Sequence, residues 1–373
     1  LGAWTKPTGL NNARQVVGWS SASEYGIYPI VSQYGAVRRL DMFPGVPDGR
    51  ATGMADAINT RGQIAGIIGT DGLWQIALWD SGGRRLAPLP GAANARVVAL
   101  NEQGDVLAAW DRAVRRSEPV LWRGGEVQPL GHLSSIGWTE PLALNNGGQV
   151  VGRSAVTYAP PEEPPTAETP PDTDDVYIAH HPFVWDVAGG LRDLGAFGKT
   201  TDCRRSAPCS SGAALAINDQ GDIVGYSEDG ALIRRPFLWR GGVLQDLGAL
   251  PGKSATARAI NARGQIAGDG AGVAFVWENG VTRVLGSLGG GYTEVTAMNA
   301  RGDVAGTALT AAGQQHAWVW RASRGAMVDL GIGMEGGAAA RAVAINDQGD
   351  VLVAVATTCF PAGDNPKVCD FTA

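Results

Sequence analysis

Histidine, sulfur and aromatic residues are all scarce in this sequence, and each shortage removes a class of function. There are four His and four Cys among 373 residues, with no Cys-x-x-Cys pair and no histidine cluster of ligand spacing. A zinc site is therefore not expected, and nothing in the chain asks for a metal or a cofactor. No apolar run approaches the ~20 residues of a membrane span, so no membrane partner is expected. Lys and Arg are scattered and outnumbered by acids, for a net charge of −6 and a pI near 5.3, which disfavours a nucleic-acid surface. Catalytic and ligand motifs are also missing. No Gly-x-Ser-x-Gly elbow exists, and Leu288-Gly289-Gly290-Gly291 opens no helix that could cradle a phosphate. Asn218-Asp219-Gln220-Gly221-Asp222 lacks the glycine placement and distal Glu of a calcium loop.

Glycine is abundant, with 54 copies, and it falls in a repeat. The sequence Ala-x-Ala-Ile-Asn-x-x-Gly-[Gln/Asp]-φ-φ-Gly, φ being aliphatic, recurs with its Asn at Asn11, Asn59, Asn101, Asn145, Asn218, Asn261, Asn299 and Asn346. Between copies stands a second box, Pro/Ala-φ-φ-Trp-x-x-Gly followed by φ-x-x-Leu-Gly. It carries Trp79, Trp122, Trp185, Trp239, Trp277 and Trp320, with Ser32 in register where a seventh Trp would stand. Each box reads as two short strands around a turn. In Asn261-Ala262-Arg263-Gly264 the Asn side chain bonds the backbone ahead of it, and the Gly supplies the positive φ that the turn needs. Four short strands per unit, and no helical period anywhere, predict an all-β repeat.

Successive Asn positions are 48, 42, 44, 73, 43, 38 and 47 residues apart, which matches a four-stranded propeller blade. The fold expected is a single β-propeller over residues 1–373 with eight blades, seven being the alternative, and the last blade degenerate. The opening Leu1-Gly2-Ala3-Trp4 copies the end of a unit, so an upstream piece is expected to have been removed. The 73-residue gap holds a Pro- and acid-rich insertion over 158–177 and a second insertion from Lys199 to Ser211.

These boxes resemble the HAF repeats, predicted bacterial extracellular repeats named for a His-Ala-Phe stretch. That stretch stands here as His181-Pro182-Phe183-Val184-Trp185 and His316-Ala317-Trp318-Val319-Trp320, while Arg235-Pro236-Phe237 and Val273-Ala274-Phe275 replace the His. The resemblance covers nearly the whole chain and implies secretion, an extracellular location and a repeat architecture. No signal segment is present in the sequence given. The family carries no defined reaction, so no activity comes with it. Two local pairs, Cys203/Cys209 and Cys359/Cys369, fit disulfides in such a protein.

The repeat also sorts the loops. The Asn-x-x-Gly and Trp-x-x-Gly turns share one face, and the variable connections share the other, where binding groups are expected. Both insertions, with Arg204 and Arg205, fall on that variable face. So do His132, His180, Trp74, Trp138 and Tyr292; His181 and His316 occupy a repeat position and read as structural. Five residues before each Asn comes the top of the innermost strand, giving a ring with Arg96, Glu140, Glu294 and Arg341, and Asp56 and Arg258 lie two residues deeper. Glu140 and Glu294 are candidate acid and base for glycoside cleavage, with His132 and His180 as further catalytic candidates. The arginines are candidates for holding an anion. The expectation is a secreted, monomeric module that binds a polar small molecule or polysaccharide. A polysaccharide lyase or glycosidase is the alternative, and a protein-interaction scaffold is the third reading.

Overall fold

The computed structural model describes all residues except 1–3, 24–25, 43–50, 71–72, 90–94, 114–115, 136, 159–176, 199–208, 249, 251–252, 332–337, 357, 363–364 and 371–373. The described residues form strands and turns only, and no helix among them is long and apolar enough to cross a membrane. Seven four-stranded antiparallel sheets follow one another along residues 4–39, 51–89, 95–129, 139–193, 212–246, 255–286 and 289–331. The eighth is reduced to a pair, Ala339–Ile345 with Val351–Ala356, and a separate hairpin, Thr358–Ala362 with Asn365–Asp370, follows it. Strand order within each sheet is sequential, so every blade is built from one stretch of chain.

The repeat Asn closes the circle. The Asn11 side-chain amide donates to the Asn59 carbonyl oxygen at 3.1 Å, Asn59 donates to Asn101, and Asn101 to Asn145. The relay continues through Asn218, Asn261, Asn299 and Asn346, and Asn346 donates to Asn11 at 3.3 Å. Eight side chains thus form an unbroken belt, which fixes the number of blades at eight rather than seven. The same amide also reaches the side chain four residues on, Gln63 from Asn59 and Asp105 from Asn101. That bond explains the Gln/Asp alternation of the consensus. The seam between the last blade and the first is held on this face by Asn12 with Asp347 and by Arg14 with Asp350 at 2.8 Å.

Blades pack through the Trp box. Trp79 is fully buried against Val17, Val31 and Leu40 of blade 1, and Trp277 packs on Leu238 and Leu247 of blade 5. Trp185 likewise clusters with Leu130, Trp239 with Leu194 and Trp320 with Leu285, in each case a Leu at the end of the preceding blade's outer strand. Ser32 replaces Trp in the one blade whose predecessor, the two-stranded eighth, has no such Leu within its sheet.

Every innermost strand carries a bulge, with the residue three before Asn as the extra one: Leu142 stands between the paired Pro141 and Ala143, Leu215 between Ala214 and Ala216. The last Gly of the box lets the bulged strand approach. A Cβ on Gly268 would lie 2.3 Å from the Thr256 carbonyl oxygen and 2.4 Å from the Phe275 ring. Blade 3 has Ala108 at this position, and there the facing residue is Val120 instead of an aromatic. Gly268→Ala is expected to lower the unfolding free energy by about 2 kcal/mol through overpacking, and by less in a Phe275→Val background. Chemical denaturation of the two single variants and the double variant measures this coupling; strict additivity would rule out the ring contact as its cause.

Candidate functional site

The bulges aim successive residues of the eight inner strands into the central channel, and the lining changes with depth. Nearest the variable-loop face are the charges five and three residues before Asn. Below them the positions two and one before Asn are small and then aliphatic, from Gly9-Leu10 and Ala57-Ile58 to Ala297-Met298 and Ala344-Ile345, all partly exposed. The Asn belt follows at the far face. The channel is therefore a polar mouth above an apolar collar, and polar ligands are best accommodated from the variable-loop side.

In blade 4, Glu140 is held by Arg153 at 2.7 Å, with the Arg96 guanidinium of blade 3 at 4.0 Å. Register explains the first pair, since the residue five before Asn always faces the residue eight after it across the strand pair: Glu140 opposite Arg153, Ala213 opposite Tyr226, Thr256 opposite Asp269. Arg153 also lies over the Trp138 ring at 5.3 Å, and the Trp138 and His180 rings meet edge to face at 4.6 Å. Burial, helped by Arg153, lowers the His180 pKa against the pull of Glu140, so this imidazole is neutral at pH 7.

In blades 6 and 7, Arg258 binds Asp269 at 2.9 Å and Glu294 at 3.2 Å, and Tyr292 donates its hydroxyl hydrogen to Glu294 at 2.7 Å. Burial opposes the Arg258 charge, but Asp269 and Glu294 outweigh it and raise its pKa further. For Asp269 burial dominates and raises the pKa, although Arg258 and the Val295 amide stabilise the carboxylate. Partial burial, then the bond to Glu294, raises the Tyr292 hydroxyl pKa. Asp56, in blade 2, sits three before its Asn as Arg258 does in blade 6, four blades away around the ring. Burial pushes the Asp56 carboxyl up to about 7, with Lys6 opposing.

Two cavities adjoin at this mouth. One, of about 360 Å³, is lined by Arg258, Glu294, Thr296 and Arg341. The other, of about 210 Å³, is lined by Glu140, Arg153, Tyr226, Arg234 and Thr256, and the two share Leu215 and Arg258. The structure thus gathers Glu140, Glu294, Arg258 and Arg341 of the sequence-derived set, but places the two glutamates in neighbouring cavities, each engaged by an arginine. Trp138 and His180 stand behind Glu140 and Arg153. His132 bonds Thr139 at 3.0 Å beside the mouth, and neither it nor Trp74 lines these two cavities. Arg204, Arg205 and Cys203 lie outside the described residues. Cys209 is buried and disulfide-bonded, and no cysteine among the described residues is free. Cys359 faces Cys369 across the final hairpin.

Sequence reasoning missed Arg153, Asp269 and Arg234; counting from −5 to +8 across each Asn turn would have found the first two. It also left the His-Ala-Phe position unexplained. His181 bonds Asp193 at 2.7 Å, Arg235 bonds Asp246 at 2.8 Å, and His316 bonds Asp329 at 2.9 Å. A cation-capable side chain at this position anchors the Asp that precedes Leu-Gly. His181 and His316 are structural.

No family description matches the chain, and no curated protein is similar to it. Among solved structures it is similar to the propeller domain of the Trilobed protease from Pyrococcus furiosus, with 12% identity, 88% of this chain and 96% of that one covered, and a TM-score of 0.51. It is similar to Porphyromonas gingivalis dipeptidyl peptidase 4, with 10% identity, 98% of this chain and 57% of that one covered, and a TM-score of 0.57. Prolyl oligopeptidase B from Galerina marginata gives 8% identity, 88% and 50% coverage, and a TM-score of 0.52. The chain spans about half the length of these two peptidases. At such identities the likeness establishes one thing, that this chain is a β-propeller.

Proposed function

We propose that this protein is a recognition module that binds a polar ligand, a carbohydrate by preference, in the channel mouth on its variable-loop face. The observation that carries this reading is the pair of adjoining cavities sharing Arg258 and Leu215 above an apolar collar. They offer dense hydrogen-bonding groups held rigid by Arg–carboxylate pairs and by arginines stacked on Trp138 and Tyr226. Rigid, preorganised polar groups in a concave site are what a polar ligand needs. Recognition is preferred to glycoside cleavage because Glu140 and Glu294 line separate cavities, and each is already tied to an arginine. Peptidase chemistry is not carried over from the structural neighbours. The HAF-like boxes support an extracellular location and the two disulfides.

Leu215 provides the test, because it borders both cavities and is partly exposed to them. Leu215→Trp would fill the shared floor without removing any charge. Calorimetric titration against a panel of neutral and acidic oligosaccharides should show binding by the wild type and a loss of about tenfold or more in the variant, as expected when an indole occupies ligand space. Failure of every glycan to bind wild type, or unchanged affinity in a folded Leu215→Trp protein, would sink the reading.

A further inference from the structure

The charge in the mouth opposes the charge of the molecule. The protein carries a net −6, yet the two cavities are lined by four arginines, Arg153, Arg234, Arg258 and Arg341, against two glutamates, Glu140 and Glu294. Asp269 stands behind Arg258, and Arg96 adds a further guanidinium beside Glu140. An acidic protein that gathers arginines at one concave site focuses positive potential there.

Arg234 is the most informative of them. It is exposed at the rim of the smaller cavity and lies over the Tyr226 ring at 4.5 Å, and no carboxylate pairs with it among the described residues. A guanidinium held over a ring face still has its edge N–H groups available, and such a group can receive a carboxylate or sulfate through two parallel hydrogen bonds. Arg258, one blade along, is fixed by Asp269 and Glu294 and forms the wall common to both cavities. The glutamates supply the complementary function, since carboxylates accept hydrogen bonds from sugar hydroxyls.

Resting on the reading of the mouth as a carbohydrate site, we propose that its ligand is an acidic glycan. Its anionic groups sit on Arg234 and the Arg258 wall, and its hydroxyls are accepted by Glu140 and Glu294. The adjoining cavities take successive sugar units. An acidic peptide fits less well, because it offers few hydroxyl donors to the two glutamates.

Matched ligands separate the possibilities. Oligogalacturonate and a sulfated glycan fragment would be titrated beside their uncharged counterparts, the methyl ester and the desulfated fragment, with poly-glutamate as the peptide control. At least one acidic glycan is expected to bind about tenfold or more tighter than its uncharged counterpart, as charge-assisted bidentate pairing predicts. Added salt should weaken it, and Arg234→Gln, a surface change, should erase most of the preference. Equal binding of charged and uncharged members would overturn the proposal while leaving a carbohydrate site standing. So would poly-glutamate binding as tightly as the glycans, or a preference untouched by Arg234→Gln. Binding by no glycan of either kind removes both readings.

Discussion

Replacing Asn145 by alanine is expected to cost about 3 kcal/mol of unfolding free energy, a large share of the stability of a natural protein. Asn145 is 4% exposed. Its amide donates to the Gln149 side chain at 2.9 Å and to the Asn218 carbonyl at 3.0 Å, and its oxygen accepts from the Gln149 amide at 2.8 Å. Alanine leaves the Gln149 N–H without an acceptor and the Asn218 carbonyl with the Gly221 N–H as its remaining donor. An unpaired polar group costs roughly 1–3 kcal/mol, and the lost inter-blade bond adds to it. Asn145→Asp separates the two roles of the residue. An aspartate makes the same turn, and Gln149 can rotate its amide to donate to it, but a carboxylate cannot donate to Asn218. If the Asn served only its turn, Asn145→Asp would be nearly neutral. The belt predicts a loss of about 2 kcal/mol or more, from the lost donor and from two acceptors forced together. Urea denaturation of the three proteins at pH 7 decides the matter.

That belt marks the boundary of what was legible in the sequence. Blade number, strand order and the division of faces were readable because they follow from the period, the alternation of apolar residues and the glycine at the turn. The inter-blade bond was not, because the turn already accounted for Asn. One signal was present. The turn glycine is dispensable, since Arg14 adopts the positive φ of 61° in the first copy, whereas Asn is kept in all eight copies. A residue more constant than its turn requires has a second partner.

The site was legible as positions but not as pairs. Counting back from each Asn placed Glu140, Glu294, Arg258 and Arg341 around one mouth, and the structure gathers them there. Their partners, Arg153 and Asp269, come from the second strand, and only the register across the turn brings them in. Arg234 stands at the repeat position that His180 holds in blade 4, one before the His-Ala-Phe site, but its placement over a ring was not readable from that count. The role proposed for it rests on the Tyr226 ring beneath it.

Asp56→Asn is expected to stabilise the protein by about 4 kcal/mol at pH 8 and hardly at all near pH 4, following the linkage between pKa shifts and folding. Burial raises the Asp56 pKa from 3.8 to about 7, with Lys6 of the neighbouring blade opposing. Well below pH 4 the carboxyl is neutral whether the chain is folded or not, and it adds no pH dependence. Between pH 4 and 7 the folded protein keeps a proton that the unfolded chain has released, so rising pH favours unfolding. Above pH 7 the folded state carries the buried charge and the full penalty. Asparagine has the same shape and no charge, so its benefit should grow across that window and then level off. Thermal unfolding of both proteins from pH 4 to 9 reads this directly, and a benefit independent of pH would mean that the channel tolerates the carboxylate.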